Sequence, residues 1–486
     1  MRAWLCAAVL LLSGCSLIVG GEIDDARKNR DAGTGGGAAT GGGAATGGGV
    51  ATGGGAAAGG GAAAGGGAAV GGGAATGGGG AAAGGGAATG GGAATGGGAA
   101  TGGGAATGGG SAGYDGGFPC SGSPYPHLAC GLLLSFDGGT VYSTTGLGAA
   151  ALGANDNDFV AVLGKPDKTV EVTVQPVTGG AATAQRYGSP DAGDVPFVAA
   201  AGEGGHWAAA WIYPVGNASG DLEVGCISDL NSVPTYYPLG NNSSGAAWLS
   251  VASSSSGGVA VIATVFDSGF NFGVWLGKSP AGAGCPTSLI RTTDFGIIVT
   301  RTAFAVHSPQ GGFLYGVTLQ TDTVIDDETG TTSNNLTTGD NQYAGWATLS
   351  TDGQKLIELL YNSDSSGQLI DLRLAGFKAN VTNPGTPTVV PNILTEQPAA
   401  AGLSSCGTNC NAVTFIRATS GTGFNLELHA YTDVPDNPRA FDVKCAVSSN
   451  DIVATPAYSS GTGQLGVLWA SDATTPAELY RCTMPP

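Results

Sequence analysis

Seven short apolar runs limit what this chain can fold into. They cover 159–163, 207–213, 259–266, 313–319, 356–361, 412–416 and 465–470, and their starts are roughly 40 to 60 residues apart. Each opens on glycine or a polar turn and is too short for a packed helix. No stretch keeps the i, i+3, i+4, i+7 apolar pattern of an amphipathic helix for three turns. The runs therefore read as the middle strands of repeated sheet units.

Flanking runs support that reading. Strand-like segments precede several middle runs, at 195–201, 246–252, 302–307, 343–349 and 452–458. Others follow them, at 169–177, 221–227, 270–276, 368–374, 424–431 and 478–482, and some units add a fourth run. Four strands at this spacing predict an all-β fold, a β-propeller of about seven blades over 114–486. Tandem β-sandwiches and a β-solenoid are the alternatives. Runs rich in alanine and glycine suit the crowded centre of such a ring. The alternation Thr169-Val170-Glu171-Val172-Thr173-Val174 suits an outer strand with one wet face. The segment 132–136 is expected to pair with the last unit and close the ring, since an open ring leaves sheet edges unpaired.

Residues 33–113 have a different composition. They repeat Gly-Gly-Gly-Ala-Ala-Thr, without a charge or an aromatic ring. Such a segment has little apolar surface to offset the entropy of ordering glycine, so a disordered tether is expected. As a coil it would reach about 50 Å; fully stretched, about 270 Å. One block, 77–80, holds four glycines where the others hold three, a slip that argues against a stacked period of six.

Arg2 and an apolar stretch of about ten residues lead to Leu12-Ser13-Gly14-Cys15. The stretch is too short to span a bilayer, which takes roughly 20 residues. The four residues resemble the lipobox of bacterial lipoprotein signal peptides. The resemblance implies that 1–14 are removed, that Cys15 carries acyl chains such as palmitate, and that 15–32 follow as a short mature segment. Ser16, in place of the aspartate that often retains such proteins at the inner membrane, implies the outer membrane of the cell envelope. The region 114–486 is similar, in this general way, to bacterial β-propeller lipoproteins. It lacks the Trp-Asp dipeptide, the kelch Gly-Gly doublet and a proper sialidase Asp-box: Ser350-Thr351-Asp352-Gly353 has its glycine one residue early.

The formal net charge is −18, with only 17 Lys and Arg, which argues against a nucleic-acid partner. Beyond Cys6 and Cys15, eight cysteines remain: Cys120, Cys130, Cys226, Cys285, Cys406, Cys410, Cys445 and Cys482. An even count in an exported chain suggests disulfides, with 105 pairings open. Cys406 and Cys410 flank a turn composition that suits a hairpin staple; zinc there lacks a histidine nearby.

Candidate chemistry is thin. Gly461 to Gly466 matches GxGxxG, but a strand follows it where a dinucleotide site needs a helix, so a hairpin turn is the reading. His127, His206, His307 and His429 stand far apart and fit no catalytic motif. Acidic stretches at 155–158 and 322–328 offer oxygen ligands for calcium through Asp156, Asp158, Asp326 and Asp327, with solvated turn residues as the plain alternative. No catalytic residue, metal or cofactor is otherwise expected. Trp207, Trp211, Trp248, Trp275, Trp346 and Trp469 fall within strand runs, as inter-blade packing or as a sugar platform. The arginines are scattered, and a sialidase-like site would need three of them converging on the channel. The expected function is an anchored binding or scaffold module for protein or glycan. Polysaccharide hydrolysis or lysis at the channel, and a passive envelope role, are the alternatives.

Overall fold

The computed structural model describes short strands between 44 and 107. It also describes 120–485, apart from 140–149, 189–196, 327–333, 379–387, 391–400 and breaks of five residues or fewer. Cys15, the signal segment 1–14 and residues 15–32 lie outside the described residues. The chain divides into two compact units, Met1–Gly113 and Tyr114–Pro486.

In the first unit the glycine array differs from the expected coil. Eleven strands, β1 to β11, run from Ala44–Thr46 to Ala106–Thr107, each formed by the residues between glycine blocks. They form two parallel sheets, odd-numbered strands in one and even-numbered in the other. β1 (Ala44–Thr46) pairs with β3 (Ala56–Ala58), so Ala44 lies against Ala56, two repeats on. The unit of stacking is thus a two-repeat coil, and the ladder satisfies backbone groups between coils without needing large side chains. The additional glycine in 77–80 falls between β6 (Ala74–Thr76) and β7 (Ala81–Ala83). The register of β5 (Ala68–Val70) on β7 absorbs it as Ala68 against Ala81. A slip between strands leaves the ladder intact, which the period-six argument overlooked. At about 4.8 Å per coil, the six-stranded sheet spans roughly 24 Å, well short of the coil's reach.

The second unit is all-β. Its first strand is β12 (Ala129–Gly139). Sheet A is β13 (Ala150–Ala154), β14 (Asp158–Gly164), β15 (Val170–Pro176) and β16 (Thr183–Tyr187). Sheet B is β17 (Phe197–Glu203), β18 (His206–Val215), β19 (Asp221–Ile227) and β20 (Thr235–Pro238). Sheet C is β21 (Ser243–Ser253), β22 (Val259–Asp267), β23 (Phe272–Lys278) and β24 (Ile290–Asp294). Sheet D is β25 (Thr300–His307), β26 (Phe313–Leu319), β27 (Asp322–Asp326) and β28 (Asn334–Thr337). Sheet E is β29 (Tyr343–Leu349), β30 (Lys355–Ser363), β31 (Leu369–Lys378) and β32 (Thr388–Val390). Sheet F is β33 (Ala401–Gly407), β34 (Cys410–Ala418), β35 (Phe424–Tyr431) and β36 (Arg439–Val447). Sheet G takes β37 (Val453–Ser459), β38 (Gln464–Ala470) and β39 (Pro476–Thr483), and β12 completes it as the outermost strand.

The first strand of each sheet packs against the first strand of the next, and β37 returns to β13. The ring therefore closes as a propeller. Six of its four-stranded sheets use consecutive strands, and the composite sheet G completes the circle. Tandem sandwiches would leave β13 and β37 apart. β12 lies antiparallel on β39, with Cys130 opposite Cys482 and Leu132 opposite Tyr480, as expected for 132–136.

Four disulfides use all eight cysteines of this unit. Cys130–Cys482 staples β12 to β39, and Cys120–Cys445 ties the segment before β12 to β36. Cys226–Cys285 joins sheets B and C, and Cys406–Cys410 closes the β33–β34 hairpin.

The centre is crowded, which accounts for its composition. A Cβ on Gly153 of β13 would stand 2.7 Å from the Ala201 nitrogen of β17, and one on Gly202 would stand 2.5 Å from the Ala154 carbonyl carbon. The expected wet face of β15 is a correction. Glu171, Thr173 and Gln175 are buried, because sheets cover both faces of a blade. Their polar atoms find partners within the blade, as buried groups require. Glu171 is 3.1 Å from Arg186 Nε and 3.6 Å from Lys165 Nζ, and Gln175 donates to the carbonyls of Pro176 and Gly180.

Candidate functional site: the central channel

The first strands of the seven sheets enclose a cavity of about 530 Å³, within the range of ligand sites. Its described lining is mostly alanine, glycine, serine and aliphatic side chains. Two features interrupt that lining. Trp248 of β21 and Trp346 of β29 meet edge to face, ring centroids 6.0 Å apart and planes at 83°. Sheet D lies between their two strands in the ring, so the contact reaches past a neighbour. Each indole follows a register shift in its strand, Ala246/Trp248 on β21 and Ala344/Trp346 on β29. A bulge re-aims the side chain beside it.

The second feature is at the C-terminal ends of the first strands. Glu203 of β17 accepts from His307 Nδ1 of β25 at 2.7 Å. This pair also skips one sheet, C. Glu203 is the one carboxylate among the described lining residues. Glycoside cleavage ordinarily takes two, about 5–10 Å apart.

Among the described residues the arginines do not converge there. Arg186 pairs with Asp167 and Glu171, Arg373 with Asp371, and Arg417 with Glu427. The Arg291 guanidinium sits 5.0 Å from the Trp275 ring centroid. Arg481 donates to the Val177 carbonyl and Arg439 to that of Pro485. The remaining tryptophans with a described role pack between strands: Trp211 is fully buried, and the Lys444 ammonium lies 3.9 Å from the Trp469 ring centroid.

The calcium candidates separate. Asn155 to Asp158 form the β13–β14 hairpin turn, where Asn155 Oδ1 accepts from the Asn157 and Asp158 amides at 2.8 and 2.7 Å. Asp156 turns to the β37–β38 hairpin, its carboxylate accepting from Ser460 Oγ and its carbonyl from Ser459 Oγ. The expected acidic loop at 322–328 begins as a strand. Asp326 ends β27 opposite Tyr315, and Asp327 lies outside the described residues. The GxGxxG match is the β37–β38 turn, running into β38, with Gly463 at φ +68° and its amide donating to Ser459.

A buried polar cluster lies away from the channel, on sheet F. His429 Nε2 is 2.9 Å from Glu427 Oε2, and Arg417 Nε is 2.9 Å from the same oxygen. Burial holds the His429 imidazole below its ordinary pKa, against the opposing pull of Glu427. Asp442 is fully buried and is pushed above the usual carboxylate range by desolvation. Its carboxylate accepts from the Cys120 amide, Ser123 Oγ and Asn425 Nδ2. This cluster anchors the segment before β12, whose Leu128 amide donates to the Asp442 carbonyl.

No protein-family model and no curated protein matches the chain. Solved structures with a similar fold include YCF48 bound to D1 peptide, at 11% identity and a TM-score of 0.41, covering 76% of this chain and 99% of that one. Another is the Hadza microbial sialidase Hz136, at 11% identity and a TM-score of 0.37, covering 67% of this chain and 73% of that one.

Sequence reasoning named Trp248 and Trp346 but had no means of pairing them. It named His307 and missed Glu203, since the two meet only because the ring brings β17 and β25 to one mouth.

Proposed function

We propose that the mature chain is an envelope lipoprotein whose propeller is a binding module, with the channel taking a neutral glycan strand. One observation carries the reading: a channel with small hydroxyl and methyl groups, two indoles meeting edge to face, and a single described carboxylate already paired with His307. Indole faces accept the C–H face of a sugar ring, and serine and threonine hydroxyls supply adaptable hydrogen bonds. An extended peptide is the other occupant such a lining admits.

The test is titration of the full mature chain with neutral oligosaccharides and uncharged peptides, followed by tryptophan fluorescence. A lost aromatic contact is worth about 1 kcal/mol, so Trp248→Ala and Trp346→Ala should each weaken glycan binding about fivefold. Phenylalanine at either position should retain most of it. Equal affinity in the wild type and both alanine variants would remove the channel from the proposal.

Anchoring rests on Leu12-Ser13-Gly14-Cys15. Two or more acyl chains hold firmly, at about 0.8 kcal/mol per buried methylene, where one chain binds only marginally. Cys15→Ser should move the protein wholly from the membrane to the soluble fraction. An unmodified mass for the wild-type mature N-terminus would overturn the anchor and leave the channel reading standing.

A further inference from the structure

Cys120, His127 and Cys445 are brought together where the segment before β12 crosses β36. Their sulfurs and a His127 ring nitrogen all lie within 4.8 Å of one another, the one such group among the described residues. The two sulfurs are joined as a disulfide. His127 Nδ1 is 2.9 Å from the Leu128 carbonyl oxygen. A carbonyl only accepts, so Nδ1 carries the proton and Nε2 presents a lone pair. That Nε2 is buried and has no hydrogen-bond partner among the described residues, whereas buried polar atoms are ordinarily paired. A disulfide offers it no proton.

The geometry points to a zinc site in the reduced form of the chain, with Cys120, His127 and Cys445 as ligands, which disulfide formation empties. Two thiolates and an imidazole form a zinc donor set, and zinc favours sulfur and nitrogen in tetrahedral order. The Leu128 carbonyl plays the part of the outer partner that fixes a ligating ring, holding its other nitrogen by a hydrogen bond. The Asp442 carboxylate is engaged by three donors, so water takes the fourth position.

The exchange balances. A dithiol passes two electrons to Cys120–Cys445, the S–S bond breaks, and the dithiol becomes a disulfide. Zn²⁺ then displaces one proton from each thiol as two Zn–S bonds and one Zn–N bond form. Oxidation by an acceptor disulfide runs the sequence backwards and releases the ion. In either state the segment before β12 is tied to β36, so the metal would hold it in place until the disulfide forms.

The probe is cobalt(II) added to the full mature chain after reduction with a phosphine, which does not compete for the metal as a dithiol would. One equivalent should produce thiolate-to-cobalt absorption that zinc abolishes. His127→Ala should weaken cobalt binding at least tenfold, and Cys406→Ser with Cys410→Ser should leave it unchanged. Oxidation of the zinc-loaded chain should release one equivalent of zinc as the Cys120–Cys445 peptide pair forms. Near-ultraviolet circular dichroism follows the fold throughout. Absence of the band, indifference to His127→Ala, loss of the band in the Cys406/Cys410 variant, or a reduced chain that zinc fails to keep folded would each overturn the site.

Discussion

A chain carrying both Cys120→Ser and Cys130→Ser is expected to lose more stability than the two single variants added together. Each substitution removes one of the two bridges that close the ring, Cys120–Cys445 and Cys130–Cys482, at sequence separations of 325 and 352. A loop of that length costs roughly 6 kcal/mol to close in the chain-entropy picture. With either bridge in place, the other adds only the smaller loop through 120–130 and 445–482, about 4 kcal/mol on the same scale. Single variants should therefore lose about 2–4 kcal/mol, allowing for native strain and denatured-state structure, and the double variant about 2 kcal/mol more than the sum of the two. Denaturant midpoints measure the totals, and hydrogen exchange of β12 and β39 locates the opening. An additive result would mean that the β12–β39 ladder, with Phe136 buried beneath it, holds the ring shut by itself.

The same geometry explains what the sequence made legible. Middle strands such as β14, β18, β22 and β38 are apolar on both faces because neighbouring blades cover them, so their runs stand out. Five of the seven inner strands stood out as flanking runs, and β13 and β33 did not. β13 reads AALGA and β33 reads AGLSSCG, compositions with little strand propensity. Their composition fits their place, because Gly153 of β13 and Gly402 of β33 meet atoms of the adjacent blade where larger residues would not fit. Crowding at a ring's centre is a tertiary fact, invisible to local pattern. β27, with aspartate at both ends, read as a ligand loop for the opposite reason: charge suggested a turn where a ladder to β26 holds an extended chain. In the glycine array, three-residue strands are meaningless alone, and only pairing across two repeats creates them. The Trp248–Trp346 contact was equally beyond reach, since it depends on which blade stands next but one.

Valine at Gly225 or Gly316 is expected to destabilise the propeller by about 3 kcal/mol or more, at the upper end of overpacking costs. Both glycines face an aromatic ring across a strand pair: Trp211 lies opposite Gly225, and Phe304 opposite Gly316. A Cβ on Gly225 would stand 2.4 Å from Trp211 Cε2, and one on Gly316 would stand 2.1 Å from Phe304 Cζ. Neither ring has room to swing. Trp211 is fully buried, stacked on Tyr187 at 5.4 Å and met edge-on by Tyr236 at 6.5 Å, and Phe304 is 2% exposed. Gly205 is the control, since among the described residues nothing lies within 4 Å of a Cβ there; Gly205→Ala should shift the urea midpoint by less than about 0.5 kcal/mol equivalent. The mechanism is separable from a simple loss of backbone freedom. Trp211→Ala alone should cost about 3–5 kcal/mol by leaving a cavity. With Gly225→Val added, the new methyls enter that cavity, so the pair should cost clearly less than the sum of its parts. Strict additivity in that cycle would mean that Gly225 is required for its backbone, and that the indole lying over it is incidental.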